Sequence, residues 1–199
     1  MFMKKYLVLL LILLNSVSFA QPKKLALVNT HLFNGVENRI QTNTIIFING
    51  RLIERIGKAG DAIPSDYEVI DCQGNYILPG LIDAHSHLDN LEAAKRALAT
   101  GVTSVRTAGV SAYQDVSLMQ LSLQGKIAGP DVIPAGVYVS PDLEETILAD
   151  VRLASLINGV KTDDELRLLV NVNIDRGAKV IKTRGTERAG RPDTDPREQ

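Results

Sequence analysis

Cysteine, histidine and tryptophan are the scarce residues of this chain, and each scarcity excludes something. One cysteine, Cys72, among 199 residues rules out an internal disulfide scaffold. It follows Val69-Ile70-Asp71 at what reads as a strand end, where a buried structural thiol is expected rather than a nucleophile. Histidine occurs three times, at positions 31, 85 and 87, tryptophan is absent, and five Tyr and four Phe are the only aromatics. Lys and Arg number 22 against 23 Asp and Glu, a net charge of -1, and no basic stripe is interleaved with aromatics. An electrostatic nucleic-acid binder is thereby excluded. No glycine-rich phosphate loop follows any strand signal, which takes weight from a dinucleotide-binding fold. What remains is an ordinary globular composition, 45% hydrophobic and 23% charged, with room for one domain or one domain plus a small accessory one.

A long apolar run is also lacking. Residues 6–14 form an uninterrupted apolar stretch of nine after the basic start Met1-Phe2-Met3-Lys4-Lys5. Nine helical residues cannot cross a hydrocarbon core roughly 30 Å thick. Small residues at Ser18 and Ala20 follow, so residues 1–20 read as a signal peptide cleaved near Ala20, and the mature chain is expected in the periplasm or secreted. No cysteine follows the apolar run, which excludes a lipoprotein anchor; no stable membrane anchor is expected.

From residue 24 to about 75 the signals are all β. Short runs of β-branched and aromatic residues are separated by Asn34-Gly35 and Asn49-Gly50, the second being a strong hairpin signal. A small antiparallel sheet or sandwich is expected there, too small to be stable alone. His31 lies in this region and reads as an exposed or capping residue. After Pro79-Gly80 the rhythm changes to strand, helix, strand, helix. The predicted strands are residues 81–87, 102–107, 132–138 and 178–183. The predicted helices are residues 90–100, with Asn90 as N-cap, residues 111–127, and a helix from the capping box Thr162-Asp163-Asp164-Glu165 to the stop at Gly177. Residues 139–161 form a connection of undetermined organisation. Alternation at this spacing means parallel βαβ units, and a doubly wound sheet or a TIM barrel both fit.

The feature with chemical content is Leu78-Pro79-Gly80-Leu81-Ile82-Asp83-Ala84-His85-Ser86-His87. In a strand of period two, Asp83, His85 and His87 share a face. Two imidazoles fixed side by side on a rigid element can hold one divalent metal; buried polar histidines are the alternative. Asp83 is either an outer partner of that site or a core polar residue.

These residues, with Val69-Ile70-Asp71-Cys72-Gln73-Gly74, Gly101-Val102-Thr103-Ser104-Val105-Arg106 and Gly177-Ala178-Lys179-Val180-Ile181-Lys182, resemble the amidohydrolase superfamily, in the group of imidazolonepropionase-like hydrolases and Xaa-Pro dipeptidases. The resemblance implies an α/β fold. Residues 21–79 would be the N-terminal part of a composite β-sandwich, and residues 80–199 the first four βα units of a TIM (β/α)8 barrel. It implies metal-dependent hydrolysis of an amide or other C–N bond in a dipeptide, non-standard peptide or cyclic amide by metal-activated water. His85 and His87 would be ligands of one or two divalent ions, zinc being expected, and Lys182 would join them once carboxylated. A surface lysine is the ordinary alternative for Lys182. Arg184 and Arg188 would lie where substrate sits, or be plain loop arginines. After the third strand, Val139-Ser140-Pro141-Asp142-Leu143-Glu144-Glu145 replaces the glycine-rich, histidine-containing loop of many relatives.

The family also uses two later histidines and an aspartate proton shuttle. They are expected beyond Gln199, so no catalytic residue is assigned within the chain, which reads as an N-terminal fragment. The competing expectation is a non-catalytic remnant, whose open half barrel would self-associate into a homo-oligomer or aggregate. A metal-free α/β binding protein is a third.

Overall fold

The computed structural model describes residues 23–184. The expected leader at residues 1–20, the tail from 185 onward and Arg188 lie outside them. The chain divides at Pro79/Gly80 into two compact units, each described by itself.

The first unit is a five-stranded sheet: β1 (Lys24–Leu32), β2 (Gln41–Asn49), β3 (Leu52–Lys58), β4 (Glu68–Asp71) and β5 (Tyr76–Ile77). The Asn49-Gly50 signal forms the β2–β3 hairpin, with Asn49 paired to Leu52 across a two-residue turn. The sheet is mixed rather than antiparallel, in the order β3-β2-β1-β4, with β4 and β5 both pairing parallel to β1. β3 and β4 therefore run in the same direction, and parallel strands need a crossover rather than a tight turn. Residues 59–67 make that crossover. Ile63 and Tyr67 from it pack on the buried Ala26, Ile45 and Phe47, with the Phe47 and Tyr67 rings edge to face at 5.4 Å. His31 is half-buried rather than exposed, and its ring meets Tyr76 at 5.2 Å. Cys72 is half-buried, its thiol 4.0 Å from the Ile70 carbonyl.

The second unit is α/β. Its parallel sheet runs β6 (Leu81–Ser86), β7 (Val102–Thr107), β8 (Asp131–Ile133), in that order. Parallel bridges Val110–Val137 and Val139–Thr183 continue the sequence of neighbours to a fourth segment, where the strand predicted at residues 178–183 is reduced to the single bridge at Thr183. Helix α1 (Leu91–Ala99) begins where Asn90 accepts the Ala93 amide at 2.8 Å. Helix α2 (Gln114–Leu123) is shorter than predicted at both ends. Helix α3 (Asp163–Arg176) starts at the predicted capping box and closes at the left-handed Gly177. Leu88, Ala94, Val105, Leu118 and Val132 form one core between the first strands and helices. The undetermined connection turns into two 3-10 segments, Glu144–Ala149 and Val151–Leu156. Leu153 and Leu156 from it are buried with Val137, Val139, Leu169 and Val172. Each such side chain contributes about 1.5–3 kcal/mol of burial.

The third strand departs most from expectation. Regular pairing stops at Ile133, and the Pro134-Ala135-Gly136 step carries Gly136 at φ +68°. A side chain at Gly136 would meet Asn173 Oδ1 at 2.4 Å and the Tyr113 ring at 3.0 Å. The amides freed by the break are taken up by helix side chains. Asp115 Oδ2 accepts from Ala135 N at 2.9 Å, Gly136 N at 3.0 Å and the Thr107 hydroxyl at 2.6 Å. Asn173 Oδ1 accepts from Val137 N at 2.9 Å. Both side chains are fully buried, as a buried polar group must be paired to be tolerated.

The 3-10 region is fastened by ions. Buried Asp150 receives Arg152 on both oxygens, at 3.0 Å each, and Arg176 Nε at 2.6 Å. The Arg176 guanidinium also lies 5.5 Å from the Tyr113 ring centre. Hydrogen bonds from Arg152 foremost hold the Asp150 carboxyl well below the usual carboxylate range, whereas burial above all pushes the Tyr113 hydroxyl up to about 12. A depressed folded-state value means stability that is present above the unfolded carboxylate range, about 4, and lost as pH falls through the folded value. Asp150→Asn is therefore expected to lower stability at pH 7 and to flatten its acid dependence. Urea unfolding from pH 2 to 7 checks this; a variant with the wild-type acid slope would refute it.

Candidate metal centre

The histidine pair sits where β6 ends. β6 pairs Asp83 with Val105 and then Ser86 with Thr107, so β6 carries one extra residue, a bulge at residues 84–85. The bulge breaks strict alternation. Arg106 Nε donates to the Ala84 carbonyl at 2.7 Å, and the Ser86 carbonyl accepts the Ala108 amide at 2.7 Å. His85 and His87 are nevertheless neighbours, both exposed, with ring centres 5.6 Å apart and planes at 73°. Asp83 folds back on its own strand, its Oδ1 accepting the His85 amide at 3.0 Å.

His87 is the better-held ring. Its Nδ1 lies 2.7 Å from the Gly109 carbonyl and 3.0 Å from the Tyr138 hydroxyl. A carbonyl only accepts, so Nδ1 carries a proton, and in the neutral ring Nε2 keeps its lone pair. This is the state a nitrogen ligand needs, and a carbonyl on the far nitrogen is the usual outer partner of a metal-bound imidazole. Two adjacent imidazoles, one so prepared, fit a divalent ion that accepts nitrogen ligands. Among the described residues no cluster of three His, Cys, Asp or Glu side chains is assembled for a metal.

Lys182 lies in the fourth segment, beside the third strand. Its carbonyl accepts the Val139 amide at 2.9 Å, and the next residue bridges Val139 in parallel. The side chain is half-buried, and no contact among the described residues joins it to either histidine ring. Arg184 donates its amide to Val139 at 2.9 Å and places its guanidinium 5.2 Å from the Tyr138 ring centre. A connected path thus runs across four neighbouring segments, from His87 through Gly109 and Tyr138 to Arg184. Gly109 and Tyr138 do not stand out in the sequence. The available signal is positional, for Gly109 follows the predicted strand 102–107 and Tyr138 ends the predicted strand 132–138, on the side where the histidines end β6.

No family model matches the chain. It is similar to an adenine deaminase of Clostridium botulinum, 30% identical over 95 residues, 48% of this chain and 16% of that protein. It is similar to a dihydroorotase of Staphylococcus epidermidis, 36% identical over 74 residues, 33% of this chain and 17% of that protein. Among solved structures it matches a candidate prolidase from Bifidobacterium longum at TM-score 0.68 and 26% identity, covering 84% of this chain and 42% of that one. The chain thus aligns with less than half the length of each.

Proposed function

This chain belongs to the amidohydrolase superfamily, and we propose that the whole protein is an exported, metal-dependent hydrolase of an amide or related C–N bond in a dipeptide or cyclic amide. The observation that carries the proposal is the His85–His87 pair at the end of β6, with His87 Nε2 left free by the Nδ1–Gly109 hydrogen bond. The strand order β6-β7-β8, continued at Val139–Thr183, supports reading the second unit as the opening βα units of a barrel. Loops at the C-terminal ends of barrel strands are where such sites form.

In this reading His85 and His87 hold the ion from the first strand. Lys182, on the fourth segment, adds a ligand when carbon dioxide converts its amine to a carbamate, because an ammonium cannot ligate a cation whereas a carbamate offers anionic oxygens. The bound ion, zinc by expectation, supplies Lewis-acid polarisation of the scissile carbonyl and lowers the pKa of water near it. The chain's own residues do the positioning. Gly109 orients His87, and Arg184, held against Tyr138, is the cation of the site nearest to Lys182 in sequence, suited to an anionic group on the substrate.

The test is hydrolysis of a panel of Xaa-Pro dipeptides, other dipeptides and cyclic amides by the whole protein. Hydrolysis, read as amino-acid release from the dipeptides and ring opening of the cyclic amides, is expected to vanish on chelation and to return with zinc or manganese. Hydrolysis that survives thorough chelation would sink the proposal.

A further inference from the structure

Tyr138 is placed as though for His87. Its hydroxyl is 3.0 Å from His87 Nδ1, 51 residues away in sequence, and has no other hydrogen-bond partner among the described residues. Its ring closes on Gly109, which is buried and adopts φ +95°. A side chain there would reach within 2.7 Å of the Tyr138 ring, so only glycine lets the ring lie against the backbone whose carbonyl meets His87. The Arg184 guanidinium lies over the same ring at 5.2 Å from its centre.

We propose that Tyr138 is a positioning residue for His87, its hydroxyl oxygen sharing the Nδ1–H with the Gly109 carbonyl and its ring fixing Gly109, so that Nε2 stays free and aimed for a ligand. The proposal extends the metal reading of His87 and rests on it for its purpose. With the carbonyl at 2.7 Å, Nδ1 is a donor, so the tyrosine oxygen at 3.0 Å serves as a second acceptor and penalises rotation or tautomer exchange of the ring. A phenylalanine would pack on Gly109 equally well and lose only that function.

The experiment compares metal-free wild type and Tyr138→Phe labelled with 15N in the histidine rings, at a pH where imidazole is neutral. His31→Gln and His85→Gln variants assign the signals of the three histidines. Wild type is expected to show His87 as the Nδ1–H tautomer with its proton shared between two acceptors, and Tyr138→Phe to shift the His87 Nδ1 and attached-proton resonances and to broaden the ring signals as the second acceptor is lost. Zinc affinity, read by competition with a chromophoric chelator, is expected to fall by about 10–100-fold. A merely structural role would move the melting temperature and leave the His87 ring spectrum as in wild type, and that outcome overturns the proposal. If wild type takes up no zinc, the metal reading fails while the ring-spectrum comparison still decides the role of Tyr138.

Discussion

Zinc binding is expected to disappear in the His85→Ala, His87→Ala double variant while the fold stays intact. Both residues are exposed, and the His85 ring has no hydrogen bond among the described residues, so its replacement changes stability by about 0.5 kcal/mol or less, while losing the His87 bond to Gly109 costs about 1 kcal/mol. The ligand consequence is far larger, because each histidine is a proposed direct donor rather than an outer partner, whose loss alone costs about 10–100-fold in affinity. The two single variants should differ. His87 is held by Gly109 and Tyr138, whereas the His85 ring has no hydrogen bond among the described residues. His87→Ala removes the prepared ligand and is expected to weaken zinc binding more than His85→Ala. Metal stoichiometry after dialysis, with circular dichroism as the check on folding, reads both effects. A folded double variant that binds zinc as wild type does would exclude this pair as the centre.

The largest loss of stability is expected at a residue remote in sequence from the histidines. Asp115→Ala strips the acceptor from the buried Gly136 amide and from the Thr107 hydroxyl, while the Ala135 amide keeps only its second acceptor, Thr107 Oγ1 at 2.9 Å. Leaving a buried donor unpaired costs about 1–3 kcal/mol before relaxation, so for two donors a total of about 2–4 kcal/mol is expected. For a chain of this size that is a fall in melting temperature of roughly 10 °C. Asp115→Asn keeps one oxygen acceptor and should lose less. The effect reaches the site, because the Gly136 carbonyl accepts the Val110 amide at 2.9 Å, next to Gly109, and the same bend leads into Tyr138. Zinc affinity should therefore fall with stability in Asp115→Ala. Thermal unfolding and chelator competition on the same preparations test this. An Asp115→Ala chain as stable as wild type would show that the bend needs no carboxylate.

Neither Asp115 nor Asn173 is singled out by reading the chain, although each left a trace. Asp115 falls four residues before Met119 and three before Leu118 on the buried side of α2, and Asn173 four residues after Leu169 on α3. A polar residue within an apolar stripe signals a buried partner without naming it. The partners here are backbone amides 20, 21 and 36 residues away, beyond the reach of any local pattern. Apolar character across residues 132–138 likewise predicted one continuous strand, whereas Pro134 cannot donate to a ladder and Gly136 turns left-handed.

Legible in the chain are features decided within a few residues: the Asn90 and Thr162–Glu165 helix starts, the Gly177 stop, the Asn49-Gly50 hairpin, the first two strand–helix units after Pro79-Gly80 and the adjacency of His85 and His87. Caps and tight turns are closed by hydrogen bonds between near neighbours, so residue type is enough. Tertiary structure alone decided that the first sheet is mixed, that the third strand breaks and is mended by Asp115 and Asn173, and that His87 is oriented by Gly109 and Tyr138. Each of these depends on which distant backbone groups come within about 3 Å, and strand direction depends on which connection crosses the sheet. Neither is encoded in periodicity.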